Sequence, residues 1–226
     1  LVVEPDSEVS RFIAESLASE YHVILADDTQ QGLEKALSDK PAIMITDSVP
    51  DLRSTDLISQ MRQRVELQEV PVLFLLGGDD EARKVQLLDD PTQDFVAKPF
   101  SANDLRVRVR NMLRLKSSQE RYGTLFNSMD QGFCTIEVLF DQQDTPIDYR
   151  FLEINAAFER QTNLRDARGK LMRELAPQHE QYWFDIYGKI ARSGESARFE
   201  SRAEALGRWY EVYAFRVGPA ENRQVA

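Results

Sequence analysis

The sequence predicts two domains: an α/β domain built on a doubly wound, five-stranded parallel sheet, followed by an α+β domain with an antiparallel sheet. In the first half of the chain, short apolar segments alternate with helical patterns, which is typical of parallel strands covered by helices on both faces. In the second half, longer strand-like segments are separated by turn residues, which is typical of antiparallel hairpins. A chain of 226 residues is long enough for two domains that each bury a core.

Composition and charge exclude several classes of protein. The chain is 42% hydrophobic and has a net charge of −10, so we expect a globular protein that binds no nucleic acid, because a nucleic-acid-binding surface is normally basic. Its one cysteine, Cys134, excludes an intrachain disulfide and a zinc site of several cysteines. No apolar run is long enough to cross a membrane, and we expect a cytoplasmic protein.

Five apolar segments predict the strands of the parallel sheet. Their residues are apolar on both faces, as in strands buried between helices, and the segments cover residues 1–3, 22–26, 42–46, 72–76 and 95–97. Apolar residues at helical spacing between the segments predict the helices.

Two helix starts are marked by polar residues. Ser7 is the candidate cap of the first helix. Ser101 and Asp104 have the spacing of a capping box, and the helix that follows is expected to extend past residue 121 with a break or bend near Gly123.

Charged residues follow three of the predicted strands. Glu4 and Asp6 follow the first strand, Asp47 the third, and Lys98 and Pro99 the fifth. Because the carboxyl ends of parallel strands meet at one edge of a sheet, these side chains are expected to lie close together. Carboxylates and one lysine at such an edge suit a hard divalent cation and a phosphoryl group.

Four stretches of the first half resemble the receiver domain of bacterial two-component response regulators, which has a flavodoxin-like fold. They are LVVEPDSEVSRF, PAIMITDSVPDLRSTDLISQMR, VPVLFLLGGDDEARK and DFVAKPFSANDLRVRVRNML. The resemblance implies a receiver over residues 1–116 in which Asp47 is the phosphoacceptor and Lys98 contacts the phosphoryl group. It also implies a cis peptide bond before Pro99. The implied partner is a histidine kinase or a phosphotransfer protein.

The resemblance further implies a Mg²⁺ site formed by Glu4, Asp6 and Asp47. Receivers usually carry two successive acids after the first strand, but here Pro5 separates Glu4 from Asp6. In an extended chain Glu4 and Asp6 face the same side, so the two carboxylates can still share a metal through water. The alternative is that Glu4 and Asp6 belong to a solvated loop.

Further departures concern the switch positions. Leu76 stands where receivers have a Thr or Ser, and leucine has no hydroxyl to bind a phosphoryl oxygen. Phe95 holds the aromatic switch position, and the loop from Asp47 to Pro50 is one residue short.

A degenerate receiver that acts as a phosphorylation-independent interaction module is therefore the alternative function, with Lys98 as an ion-pair partner of Asp47. A small α/β enzyme with Asp47 as nucleophile lacks a recognisable general acid or base.

The second half resembles a PAS sensory domain. The stretches GFCTIEVLF and YRFLEIN predict two strands, and AAFERQT predicts a helix. HEQYWFDIYGKIARSG predicts a longer helix. Two further strands are predicted on either side of Gly207. FLEINAAFERQTNL carries the resemblance, which covers residues 117–226, with an N-terminal linker helix and a truncated last strand. It implies a homodimer through the PAS domain or the linker helix.

A PAS domain binds haem, flavin, a small metabolite or no ligand. Tyr149 stands where a flavin-binding PAS domain has its reactive cysteine, and Cys134 is expected in the core. His179 is a haem-ligand candidate, but a surface or capping role is favoured. Four aromatic residues, Phe133, Phe158, Trp183 and Tyr187, fill the core or line a pocket, and the core is favoured.

The two resemblances together indicate a two-component signalling protein. The chain shows no ATP-binding glycine loop and no His-box, so a kinase or cyclase activity would reside outside it. A hybrid sensor histidine kinase is the favoured parent, and a diguanylate cyclase is the alternative.

Overall fold

The computed structural model describes residues 1–47, 57–77 and 90–226. These residues form two compact units, Leu1–Arg121 and Tyr122–Ala226, here called unit 1 and unit 2.

Unit 1 contains a five-stranded sheet in which every pairing is parallel. The strands are β1 (Val2–Val3), β2 (Leu25–Ala26), β3 (Met44–Thr46), β4 (Val72–Leu76) and β5 (Gln93–Ala97). Their order is β2-β1-β3-β4-β5, and β1 and β3 pair in register at Val2 with Ile45. The predicted five-stranded parallel sheet is confirmed.

Helices of unit 1 cover both faces of this sheet. The described helices are α1 (Ser7–Leu17), α2 (Thr29–Asp39), α3 (Leu57–Arg62) and α4 (Ala102–Ser128). Alternate residues of one strand point to opposite faces. Val3 packs in a cluster with residues of α2 and α3, whereas Val2 packs in a second cluster with residues of α1 and α4. The sheet therefore has a separate apolar core on each face.

Three local predictions for unit 1 were wrong. Only Val96 of β5 is buried, and β2 is reduced to two residues with Leu25 37% exposed. Both strands stand at the ends of the strand order, so helices do not cover both of their faces. The cap of α1 is Asp6 and not Ser7: the Asp6 carboxylate accepts the backbone N–H groups of Glu8 and Val9.

Helix α4 crosses the boundary between the two units. The predicted capping box is present, since the Asp104 carboxylate accepts the Ser101 N–H and the Ser101 hydroxyl accepts the Asp104 N–H. The helix continues across Gly123 without a break, and the predicted domain boundary after residue 116 lies within it.

Unit 2 contains antiparallel sheets, as predicted. Its elements are β6 (Cys134–Phe140), β7 (Pro146–Ile154), α5 (Ala156–Thr162), α6 (Met172–Leu175), α7 (Gln181–Ser193), β8 (Ala197–Ala203), β9 (Arg208–Ala214), β10 (Arg216–Val217) and β11 (Gln224–Val225). One sheet has the order β10-β11-β6-β7, and β8 pairs with β9. Asn155 fixes the start of α5, because its side-chain oxygen accepts the N–H groups of Phe133 and Phe158.

Helix α7 packs closely on the beginning of β7. Gly188 of α7 is buried, and a Cβ at this position would lie 2.7 Å from the Cβ and Cγ atoms of Pro146. Contacts this short force neighbouring atoms to move. A glycine at residue 188 is thus required by packing, whereas a Cβ at Gly123 of α4 would meet no described atom within 4 Å.

We expect Gly188→Ala to lower the unfolding free energy of unit 2 by about 2 kcal/mol, because the added methyl group overpacks the contact with Pro146. Gly123→Ala is the matched control, and its better helix propensity should raise stability by up to about 1 kcal/mol. Urea unfolding followed by tryptophan fluorescence measures both effects, since both tryptophans lie in unit 2. Equal effects of the two substitutions would contradict the packing explanation.

Candidate functional site

The carboxyl edge of the parallel sheet contains a buried ion pair. Glu4, directly after β1, is only 2% exposed, and the Lys98 ammonium, directly after β5, donates to Glu4 Oε2 at 2.9 Å. The backbone N–H of Asp6 donates to Glu4 Oε1 at 3.1 Å. Both carboxylate oxygens of Glu4 are therefore engaged. Within the described part of the chain Lys98 forms its ion pair with Glu4 and not with Asp47.

Asp47 lies directly after β3, within electrostatic range of both charges. Partial burial raises the pKa of the Asp47 carboxyl above its ordinary value, and the neighbouring Glu4 carboxylate raises it further. The Lys98 ammonium acts in the opposite direction. Glu4, Asp47 and Lys98 thus form one electrostatically coupled cluster, here called the acidic cluster.

Asp6 has a different role, because it caps helix α1. Its side chain is exposed, and Oδ1 accepts hydrogen bonds from the first turn of α1. Across residues 1–47, 57–77 and 90–226, no three His, Cys, Asp or Glu side chains are grouped closely enough to hold a metal ion by themselves. Two carboxylates, Glu4 and Asp47, remain for a cation that keeps most of its water ligands.

The expected switch residues lie in well-packed positions. Leu76 is buried at the end of β4, and its carbonyl accepts the Lys98 N–H at 2.7 Å. Phe95 is half-buried, and the Arg108 guanidinium lies 5.4 Å from its ring centroid. Arg108 in turn donates to both carboxylate oxygens of Asp94, at 2.7 and 2.9 Å. Sequence reasoning missed this contact of Arg108, because Arg108 reads as an ordinary polar position of a helix.

The peptide bond between Lys98 and Pro99 is cis. The loop that follows Asp47, which the sequence indicates to be one residue short, lies outside the described residues.

The sequence profile of the family described as "Response regulator receiver domain" matches residues 1–110. Residues 1–110 form a receiver domain of this type. The match confirms the predicted receiver domain in the first half of the chain.

Curated relatives match over the same half. The chain is 35% identical over 121 residues to "Hybrid signal transduction histidine kinase D" of Dictyostelium discoideum, covering 53% of this chain and 8% of the relative. It is 36% identical over 117 residues to "Sensor histidine kinase TmoS" of Ectopseudomonas mendocina, covering 51% and 12%. The chain thus spans a small part of these relatives. Among solved structures, a putative response regulator from Chloroflexus aurantiacus J-10-fl is 26% identical, with a TM-score of 0.44, and the match covers 50% of this chain and 94% of that one.

The described helices include none that combines the length and apolarity needed to cross a membrane.

A second candidate site lies in unit 2, outside the receiver domain. Phe133, Phe158, Trp183 and Tyr187, for which a core role was favoured, all line a cavity of about 240 Å³. Phe158 and Tyr187 also pack against the core of unit 2. The four residues therefore line a pocket, and at least Phe158 and Tyr187 also pack in the core.

His179 is buried in the lining of this cavity, so of the two favoured roles, surface or capping, the surface role was wrong. The residue is 5% exposed, its Nε2 lies 3.4 Å from Tyr149 Oη, and its Nδ1 lies 3.4 Å from Glu180 Oε2. The imidazole stacks on the Trp183 indole with ring centroids 5.7 Å apart. Burial lowers the pKa of His179 from 6.5 to about 4, so the ring is neutral at pH 7.

We expect Lys98→Met to lower the unfolding free energy of the receiver domain by about 2 kcal/mol, because Glu4 would stay buried without its counter-charge. The double variant Glu4→Gln/Lys98→Met should recover most of this loss. Arg110→Met, which removes an exposed ion pair of 3.0 Å with Glu20 in the same unit, should change stability by less than about 0.5 kcal/mol. Amide hydrogen exchange in β1, β3 and β4 reports on the receiver alone. A double variant as unstable as Lys98→Met would show that the charge on Glu4 is not the cause.

We expect unit 2 to lose stability between pH 6.5 and pH 4 through His179. In this interval the unfolded chain binds a proton at His179 that the folded chain does not, so the contribution is complete above pH 6.5 and decreases by about 3 kcal/mol at pH 4. His179→Phe removes the titrating group. The measurement is the difference in unfolding free energy between the two chains as a function of pH, and a difference that does not vary with pH would contradict the assignment.

Proposed function

We propose that Asp47 accepts a phosphoryl group from a phosphohistidine of a histidine kinase or phosphotransfer protein. The observation that carries this proposal is the acidic cluster: Asp47 and Glu4 are electrostatically coupled, and Lys98 supplies a cation to the same group. In the reaction an Asp47 oxygen attacks phosphorus, the bond between phosphorus and the histidine nitrogen breaks, and the nitrogen keeps the electron pair. A raised pKa of Asp47 indicates that its carboxylate is poorly compensated in this arrangement.

Glu4 and Asp47 fit a Mg²⁺ site, because this ion binds through one or two carboxylates and retains several waters. A bound ion would neutralise the charge that develops on the transferred phosphoryl group. In this proposal Asp6 remains the cap of α1. The Lys98 ammonium has three donors and places one of them on Glu4 Oε2 at 2.9 Å, so contact with the phosphoryl oxygens does not require this ion pair to break.

We further propose that unit 2 is a PAS sensory and dimerisation domain. Its antiparallel sheet, the helices α5 to α7 and the aromatic cavity support this role. The favoured parent is a cytoplasmic hybrid sensor histidine kinase, because the receiver domain is similar to segments of a hybrid signal transduction histidine kinase and of a sensor histidine kinase. Any kinase activity would belong to that parent.

Helix α4 is the proposed path of the signal. In unit 1 its residues Leu105 and Val109 are buried in the apolar core. In unit 2 the Tyr122 hydroxyl donates to Glu153 at 3.0 Å, and Asn155 donates to the Phe126 carbonyl at 3.2 Å. A continuous helix anchored in both units can transmit a displacement of either end.

A second candidate function is a phosphorylation-independent interaction module. The Glu4–Lys98 ion pair favours it, because Lys98 already neutralises the carboxylate that would bind Mg²⁺. Leu76 also lacks the hydroxyl through which a phosphoryl group would move the neighbouring loop.

Titration of the full chain with beryllofluoride and Mg²⁺ distinguishes the two functions. We expect saturable, Mg²⁺-dependent shifts of the amide NMR signals around Asp47 and Lys98, since beryllofluoride mimics a phosphoryl group on a carboxylate. Asp47→Asn should abolish the response. Asp27→Asn is the matched control, because Asp27 is an exposed acid that directly follows β2, and its response should be unchanged.

Absence of a response in the unmodified chain would favour the interaction module. A response that persists in Asp47→Asn would place the phosphoacceptor elsewhere.

A further inference from the structure

The cavity of unit 2 has a size that selects among ligands. It measures about 240 Å³, is open to solvent on one side, and is lined by residues of β6, β7, α5, α7 and β9 together with the segments next to them. A core cavity of about 150 Å³ admits benzene, whereas drug-sized ligands occupy roughly 300–1,000 Å³. The volume therefore suits one ring or two fused rings as the part of a ligand that is buried.

The lining offers no buried charge to a ligand. Glu211 has the one permanently charged side chain among the described lining residues, and this side chain is exposed and paired with Arg198 at 3.7 Å. His179 is neutral at pH 7, and burial raises the pKa of the Cys134 thiol to about 12. A charged ligand would lose its hydration without gaining a counter-charge. The lining therefore favours an uncharged ligand.

Aromatic rings form one wall of the cavity. Tyr149 and Tyr187 meet edge to face with centroids 5.5 Å apart, and Trp183 lies 6.1 Å from Tyr187. A further aromatic ring binds favourably against such a wall, in an edge-to-face or an offset-stacked arrangement. This arrangement favours an aromatic ligand over an aliphatic one of equal volume.

Trp183 also contributes an unused hydrogen-bond donor. The residue is 3% exposed, and its Nε1 has no hydrogen-bond partner among the residues that the structure describes. The indole N–H is a donor and cannot accept. Because a buried donor without a partner is destabilising, a ligand that brings an acceptor to Nε1 gains binding free energy.

We propose that the cavity of unit 2 binds an uncharged aromatic molecule of one ring or two fused rings that accepts a hydrogen bond from the Trp183 indole N–H. If unit 2 is the sensory domain proposed above, this molecule is its input signal. The binding itself requires neither phosphorylation of Asp47 nor Mg²⁺.

Quinoline and naphthalene test the proposal on the full chain. The two molecules have nearly the same shape, but only the quinoline nitrogen is an acceptor. Their dissociation constants are measured by ligand-observed NMR for Trp183→Phe, which removes the donor, and for Trp209→Phe, the same substitution at a residue that is 71% exposed. We expect the ratio of quinoline affinity to naphthalene affinity to fall about tenfold in Trp183→Phe and to stay unchanged in Trp209→Phe.

The Trp209→Phe chain provides a second readout that does not depend on the folding of Trp183→Phe. It retains one tryptophan, so its ¹H–¹⁵N spectrum has a single indole signal. Quinoline should move this signal downfield in a saturable manner, and naphthalene should not. A signal that is unaffected by quinoline, no saturable binding of either molecule, or an affinity ratio that is equal in the two variants would overturn the proposal.

Quinoline binding is also measured on Asp47→Asn, where it should be unchanged. A failure of the phosphoacceptor proposal is thereby separated from a failure of the cavity proposal.

Discussion

The receiver site depends on the need of a buried carboxylate for a counter-charge. Glu4 is almost fully removed from solvent at the end of a central strand, and a carboxylate in that environment stays ionised only if it is paired and hydrogen-bonded. The ammonium of Lys98 and the backbone N–H of Asp6 meet that need. The same pair determines how Asp47 behaves, because Glu4 and Lys98 act on its pKa in opposite directions. In the proposed function, pairing within the cluster and binding of a cation would compete for the Glu4 carboxylate, and this competition would separate a phosphorylated receiver from an interaction module.

Helix α4 is held in unit 1 and in unit 2 by different kinds of contact. In unit 1 apolar burial of Leu105 and Val109 holds it against the sheet, whereas in unit 2 hydrogen bonds from Asn155 and Tyr122 hold its last turns. Arg108 adds a contact beside the receiver site, since it binds Asp94 and covers Phe95. Phe95, the predicted aromatic switch residue, is thereby in contact with Arg108 of α4.

The buried polar groups of unit 2 differ in how completely they are hydrogen-bonded. Asn155 uses its amide oxygen for two backbone N–H groups and its amide nitrogen for two carbonyls, so this buried residue is fully hydrogen-bonded. The indole nitrogen of Trp183 lies in the same core without a partner among the described residues. His179 Nδ1 and Glu180 Oε2 likewise lack a hydrogen-bond partner among the described residues. Since native cores leave few buried polar atoms unpaired, the surroundings of His179 and Trp183 differ from the fully hydrogen-bonded position of Asn155.

The sequence by itself determined the parallel sheet of the receiver, the position of Asp47 and Lys98 at strand ends, the capping box at Ser101 and the antiparallel character of unit 2. These features depend on local periodicity, turn residues and caps, which are readable along the chain. Tertiary structure decided which charges meet: Lys98 pairs with Glu4, 94 positions away, because β1 and β5 end at one edge of the sheet. It also decided burial. The end positions of β2 and β5 expose residues that the apolar pattern predicted to be buried, and His179, for which a surface or capping role was favoured, is buried against Trp183. Partner choice and solvent exposure are properties of the assembled layers, and no local pattern in the chain encodes them.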